Sequence, residues 1–143
     1  MTLHDILNDP ILHARFVRDA GALLDAEVAS KSGLSGMAIK AGFSAMKAVK
    51  PGIVPAAIEM LLPAFAPAVE PHFAAGRSAG DLPGHFTRHA SAIADALLQV
   101  TDAKAAVAKN AVLKKTYQSL RGMAHQHTTA AMPATGRLLA TYA

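Results

Sequence analysis

The chain has 143 residues, of which 52% are hydrophobic and only 5% aromatic, and it carries a formal net charge of +4. It contains no cysteine, which excludes a disulfide framework, a thiolate metal site and a cysteine nucleophile. This length predicts one domain, residues 1–143, with enough core to fold without a covalent staple. The N-terminal segment has no basic region followed by an apolar one, so no secretory signal is predicted and a cytoplasmic location is expected.

The first thirty residues predict two helices. Thr2 is suited to cap a short helix over Leu3–Leu7. The pair Asp9-Pro10 then supplies a second cap, followed by proline at the first helical position, where its missing N–H costs nothing. The second helix is predicted to run from Pro10 to about Ala29.

The stretch 31–55 predicts the helix around which the rest is organised. A helix over Leu34–Val49 would end at Lys50-Pro51-Gly52, because the residue before a proline is pushed out of the helical region. Its apolar arc is wide, which is typical of a helix buried on most sides. The deepest face is made of small residues around Gly42, so a neighbouring helix is expected to pack closely there.

The next segment combines strong hydrophobicity with prolines. Pro63, Pro67 and Pro71 recur every four residues, and each removes a backbone donor. A kink or break near Pro63–Pro67 is therefore predicted, followed by a short helix to about Ala75. The prolines, together with Glu59 and Glu70, argue against a membrane span, so no transmembrane segment is expected.

The C-terminal half predicts three more helices. Residues 76–84 form a loop, and a long helix follows from about Pro83 past Val100. Asn110 can cap the next helix, and Pro133 opens a last one. The core seam of the long helix is Phe86, Ala90, Ile93, Leu97 and Val100. No strand pattern is present, so the prediction is an all-α, compact single-domain bundle of six or seven helices around a central small-residue helix, 34–49.

Two strings in the chain are specific enough to suggest a family. KSGLSGMAIK runs from Lys31 to Lys40, and KPGIVP runs from Lys50 to Pro55. With matching segments over Leu24–Ala29, Ala94–Asp102 and Met132–Ala143, the chain resembles an uncharacterised bacterial family of unknown function found mainly in actinobacteria. The resemblance implies a small helical bacterial protein. It implies no reaction and supplies no site residues.

The histidines offer a weak metal-binding pattern. His85 and His89 are four residues apart on one helix, a spacing that suits two metal ligands, and His72 is one candidate for a third. The glutamate that follows the first histidine of a zincin helix is missing, and so are the paired carboxylate–histidine motifs of di-iron bundles. No nucleophile elbow or phosphate-binding glycine pattern is present either. We therefore expect ordinary histidines, no metal, no cofactor and no enzymatic activity.

The charges are strongly segregated along the chain. Residues 31–58 hold four lysines and no acid, and residues 103–143 hold six basic residues and no acid. Such blocks either pair with the acidic blocks inside the fold or form a basic surface for an anionic partner. The candidate anion-binding residues are Lys31, Lys40, Lys47, Lys114, Lys115 and Arg121.

Three functional hypotheses follow. The first is a non-catalytic binding or interaction module that holds an apolar ligand between helices or pairs with itself as a homodimer. The second is an anion-binding protein that contacts nucleic acid or a membrane surface through basic blocks 31–50 and 104–121, with weak, non-specific DNA binding expected. The third is an enzyme of unknown type.

Overall fold

The computed structural model describes every residue from Met1 to Ala143, and the chain folds into seven α-helices with no strand. The predicted all-α class is confirmed, with the upper of the two predicted helix numbers. The helices are α1 (Leu3–Asn8), α2 (Pro10–Ser30), α3 (Gly33–Val49), α4 (Ile53–Ser78), α5 (Leu82–Arg88), α6 (Ala90–Ala106) and α7 (Ala111–Ala140).

Three of the predicted helix starts are confirmed by their capping hydrogen bonds. The Thr2 hydroxyl accepts from the Asp5 amide while the Asp5 carboxylate accepts from the Thr2 amide, which makes a reciprocal capping box. Asp9 and Asn110 each accept from the two amides that open the next helix. Each cap is worth roughly 1 kcal/mol, so the starts of α1, α2 and α7 are locally encoded.

The core lies where α1, α4, α5, α6 and the C-terminal half of α7 meet. Phe73, Phe86 and Ile93 are fully shielded from solvent there. The full cluster is Leu3, Ile6, Val69, Phe73, Leu82, Phe86, Ala90, Ile93, Met132, Leu139 and Tyr142. A smaller cluster of Val17, Ile58 and Leu62 joins α2 to α4. No residue of α3 belongs to either cluster.

The predicted central position of helix 34–49 is therefore wrong. In α3 only Gly36 is buried, while the side chains of Leu34 and Met37 are 88% and 66% exposed. The apolar arc of α3 consists largely of small residues, each of which removes little apolar area from water. The aromatic side chains of α4 and α5 remove far more, so the core forms around them and α3 packs at its edge.

The prediction for Gly42 is confirmed even though α3 is peripheral. A Cβ atom placed on Gly42 would lie 2.6 Å from Cδ1 of Leu120 and 3.3 Å from Cγ2 of Thr116. Real Cβ atoms do not approach other atoms so closely, so the side chains of α7 occupy the space that a larger residue would need. The partner of the small-residue face is therefore α7.

The break predicted near Pro63–Pro67 is absent, because α4 continues from Ile53 to Ser78 through all three internal prolines. Pro63, Pro67 and Pro71 all lie on the exposed side of the helix. Each proline leaves the carbonyl four residues earlier without its usual donor, and water can hydrogen-bond to that group on an exposed face. The buried face keeps Ile58, Leu62, Val69 and Phe73 in register.

By length and composition alone, α4 is also the one helix apolar enough to cross a membrane. In the bundle, its Val69 and Phe73 side chains belong to the main core. The Glu70 carboxylate, in the middle of the helix, accepts a hydrogen bond from the Leu3 amide at 2.7 Å. Only 17% of its most apolar 18-residue window is buried, so these contacts account for only part of the hydrophobicity of α4.

The predicted long helix from Pro83 is divided at His89 into α5 and α6. The two pieces pack on different parts of α7, with Phe86 beside Gly136 and Ser91 beside His125. A straight helix could not make both contacts. Phe86 and Ser91 are five residues apart, whereas the residues of α7 that they contact, Gly136 and His125, are eleven residues apart. The predicted loop 76–84 is also shorter than expected, since only residues 79–81 separate α4 from α5.

The predicted start of a last helix at Pro133 is wrong as well, because α7 runs through it from Ala111 to Ala140. Pro133 removes one intrahelical hydrogen bond, that to the Thr129 carbonyl. The helix is held on both sides of this defect by Met132 and Leu139, which are buried in the core. Tertiary packing thus overrides the local signal.

Candidate anion-binding surface and histidine cluster

The two acid-free blocks come together in space. Gly42 of α3 lies against Thr116 and Leu120 of α7, and Lys31 lies near His127. The two helices therefore run antiparallel, and the C-terminal end of α3 points towards the N-terminal end of α7. The connection between α6 and α7, residues 107–110, lies at that same end of the molecule. Together with the last turn of α6 and the first turn of α7 it forms the segment 104–115, which is called the hairpin tip.

Three of the six predicted anion-binding residues are already paired with acids. Lys31 Nζ lies 3.5 Å from the Glu27 carboxylate, and Lys47 Nζ lies 3.1 Å from that of Asp25. The guanidinium of Arg121 donates to both carboxylate oxygens of Asp102, at 2.7 and 3.0 Å. These three residues support the alternative in which the charged blocks neutralise each other inside the fold.

The other three predicted residues, Lys40, Lys114 and Lys115, have no carboxylate within 4.0 Å of the side-chain nitrogen. Lys40 and Lys115 are exposed, and Lys114 is half-buried. Unpaired lysines therefore lie on the outer side of α3 and on the first turns of α7, whereas binding of an anion there stays a prediction.

The hairpin tip adds two basic residues that the predicted set omits. Lys104 and Lys109 are exposed and, like Lys114 and Lys115, have no acid within ion-pair distance. These four lysines lie on two different helices and the connection between them. They share one end of the molecule only because the chain turns there, which the periodicity of a single helix cannot show. The available signal was the complete absence of acids after Asp102.

The tip also exposes apolar side chains. Val107, the residue that follows α6, is 76% exposed, and Val112, in the first turn of α7, is 50% exposed. Both lie within a few residues of Lys109, and the remaining residues between them are small or polar. The tip is thus basic and apolar at once.

Below the tip, a polar network locks α6 to α7. The Tyr117 hydroxyl donates to the Asp102 carboxylate that pairs with Arg121, and it lies 2.7 Å from the Thr101 hydroxyl. The hydrogen bond from Arg121, followed by that from Tyr117, lowers the pKa of Asp102. Burial raises the pKa of Tyr117, and its hydrogen bond to Asp102 acts in the same direction. The network fixes the base of the hairpin and engages the Tyr117 hydroxyl and the Arg121 guanidinium in intramolecular hydrogen bonds.

The histidines that the sequence singled out do meet. Nδ1 of His72, on α4, lies 3.1 Å from Nε2 of His85, and the ring centroids of His85 and His89 are 4.3 Å apart. Burial, followed by the charge of His89, lowers the pKa of His72, and the same two causes lead for His85. Nevertheless, no group of three or more His, Cys, Asp or Glu side chains is arranged to hold a metal ion. The cluster is better described as three neighbouring imidazoles with mutually tilted rings, in which His72 and His85 favour the neutral form.

Two concavities lie elsewhere on the surface. One runs between α1 and α4, beside Leu7 and Pro63, and the other lies between α2 and the turn at Pro51-Gly52. Both are grooves open to solvent. Neither is the enclosed apolar pocket between helices that the first hypothesis includes.

A family model described as a family of unknown function, DUF6918, matches residues 3–143. The chain belongs to this family. The resemblance drawn from the KSGLSGMAIK and KPGIVP strings is thereby confirmed as one to a family of unknown function. No curated protein and no solved structure matches the chain. DUF6918 carries no reaction, ligand or partner to transfer, so any function must be argued from this chain's own surface.

Proposed function

We propose that this DUF6918 member is a non-catalytic binding module that contacts anionic surfaces through its hairpin tip. The observation that carries the proposal is the set of four lysines in residues 104–115, none of which has a carboxylate within ion-pair distance. A basic block that existed only to balance acids inside the fold would be paired, as Lys31, Lys47 and Arg121 are.

The expected affinity follows from the charge. Each lysine near a negatively charged surface contributes about 1 kcal/mol, and the attraction fades beyond a Debye length of about 8 Å at physiological salt. Four lysines therefore support weak, reversible and salt-sensitive binding. The same layout supports electrostatic steering, because the positive field is concentrated at one end of the molecule.

Duplex DNA of random sequence is a suitable polyanion with which to test this proposal. We expect a dissociation constant of about 10⁻⁴–10⁻⁶ M at physiological salt, and a plot of log affinity against log salt with a slope of about −0.9 per phosphate contact. The double variant Lys109→Gln/Lys115→Gln should bind more weakly and reduce that slope by about two units.

The control variant also removes two positive charges, but at positions away from the hairpin tip. Arg18 and Arg137 are both exposed, and neither has a strong ion pair, since Arg18 lies 3.9 Å from Asp19 and Arg137 has no acid nearby. Arg18→Gln/Arg137→Gln should therefore retain the slope of the parent. Equal losses in the two double variants would mean that net charge alone drives binding, and no binding at low salt would reject the proposal.

A further inference from the structure

We infer that the anionic surface is the headgroup layer of a lipid bilayer and that the hairpin tip enters it with Val107 and Val112. This inference rests on the proposed function, because it names the partner of the same lysines. It adds one independent observation, the exposure of two β-branched apolar side chains among those lysines.

The tip has the layout of a membrane-surface contact. Val107 and Val112 are separated by only four residues, and Lys109-Asn110 forms the turn between them. Lys104 precedes the valines and Lys115 follows them. The two apolar side chains can therefore reach below the headgroups together while the long lysine side chains extend back to the phosphate level.

Hydrophobic burial favours a bilayer over a nucleic acid as the partner. Exposed valines gain nothing from a phosphodiester backbone, whereas their methyl groups are removed from water in the interfacial layer of a bilayer. Binding to single-stranded nucleic acid generally uses aromatic side chains on which bases stack. The two tyrosines of this chain are engaged elsewhere, Tyr117 with Asp102 and Tyr142 with Asp19.

Neither the valines nor the lysines of the hairpin tip would attach the protein stably to a membrane on their own. Two partly exposed valines offer little apolar area, and four lysines give only a screened attraction. Stable attachment to a membrane surface generally needs two such signals together, as with one acyl chain and a polybasic patch. The tip combines both, so binding should require anionic lipid and should also be lost when the valines are made polar.

The chain lacks tryptophan, which allows a direct test. A single tryptophan is introduced by Val107→Trp, and a matched control by Met60→Trp, a position on α4 that is 58% exposed. Vesicles contain either phosphatidylcholine alone or an equimolar mixture with phosphatidylglycerol. We expect a blue shift of the emission only for Val107→Trp, only with the anionic vesicles, and reversed by high salt.

A charge-preserving variant separates the two parts of the proposal. Val107→Ser/Val112→Ser should bind anionic vesicles about tenfold more weakly, because apolar area is lost from the contact. It should keep the salt-dependent DNA binding of the parent, since all four lysines remain. Both positions are exposed, and the circular dichroism melt should match that of the parent.

The remaining outcomes are decisive. Salt-dependent DNA binding without vesicle binding would overturn the membrane inference and leave the proposed function standing. A blue shift at position 60 but not at position 107 would also overturn it and assign membrane contact to α4. Absence of binding to both DNA and anionic vesicles would reject both proposals.

Discussion

At the residue scale, small side chains decide where helices approach. Gly42 faces Leu120 of α7, and Gly136 lies where a Cβ would meet Cβ of Phe86 at 2.8 Å. Helical periodicity was sufficient to predict that Gly42 faces a neighbouring helix. It was insufficient to name the partner, because Leu120 is 78 residues further along the chain and nothing local links the two.

Gly42→Leu should destabilise the protein by about 1–3 kcal/mol, because the added side chain must displace Leu120 and Thr116 in a packed contact. Urea denaturation monitored by circular dichroism measures the change in the free energy of unfolding. Gly122→Ala is the matched control, since no atom lies within 4 Å of a Cβ at that helical position. It should stabilise α7 by up to about 1 kcal/mol. Parent-like stability of Gly42→Leu would contradict the α3–α7 contact.

At the element scale, capping side chains marked helix starts reliably, whereas prolines did not mark helix boundaries reliably. The caps at Thr2, Asp9 and Asn110 act through hydrogen bonds within three residues, so the sequence contains the whole interaction. Pro67 and Pro133 also act locally, but their effect depends on which side of the helix faces water and on what is packed nearby. Those facts belong to the tertiary structure and are absent from the local pattern.

Replacing an exposed proline of α4 should stabilise that helix. Pro67→Ala restores an amide that can donate to the Pro63 carbonyl and relieves the clash of the ring with the preceding turn. The loss of proline stiffness in the unfolded chain offsets part of this gain, so a net increase of about 1 kcal/mol in the free energy of unfolding is expected.

Pro51→Ala is the matched control for Pro67→Ala. Pro51 lies in the turn between α3 and α4, where no helical amide is missing. This change should be neutral or slightly destabilising, because only the stiffening of the unfolded chain is removed. If thermal melts show Pro67→Ala to be less stable than Pro51→Ala, the prolines have a packing role in α4 beyond that of tolerated helix defects.

At the scale of the whole molecule, composition and periodicity were sufficient for the all-α class, whereas the arrangement of the helices followed from the size of the side chains. The wide apolar arc of helix 34–49 predicted a central position for α3, yet the large aromatic residues Phe73 and Phe86 form the core elsewhere. The basic surface at the hairpin tip was also only partly predictable from the sequence. Segregated charge indicated the basic blocks 31–50 and 104–121, but pairing removed Lys31, Lys47 and Arg121 from them. Lys104 and Lys109, which lie in the second block but not among the six candidate residues, remain without an acid within ion-pair distance.

The histidines couple the stability of the whole fold to pH, with opposite signs at two places. His72 and His85 join α4 to α5, and their pKa values lie below the ordinary value of 6.5, chiefly because of burial. At high pH these rings are neutral in both the folded and unfolded chain. As the pH falls below 6.5, the unfolded chain takes up protons first, so the stability of the fold decreases. Arg88 and His89 lie nearby and reinforce the effect.

His13 acts in the other direction. Its Nε2 lies 2.8 Å from the Glu59 carboxylate, and this hydrogen bond raises its pKa above 6.5. Its stabilising contribution between α2 and α4 is therefore fully present below pH 6.5 and is lost as the pH rises through the folded-state pKa. Around pH 6.5 the pH dependence of the parent combines this pair, the histidine cluster and His127, whose pKa is lowered by burial and by the charge of Lys31.

Two variants separate these contributions in thermal melts recorded on both sides of pH 6.5. Relative to the parent, His72→Gln/His85→Gln should lose less stability on acidification, because the groups that resist protonation in the fold have been removed. The difference should be on the order of a few degrees in melting temperature. His13→Gln should instead lose more stability on acidification than the parent, since the charged pair with Glu59 no longer forms. If the two variants shift the acid-side melting temperature in the same direction, the opposing roles assigned to the cluster and to His13 are wrong.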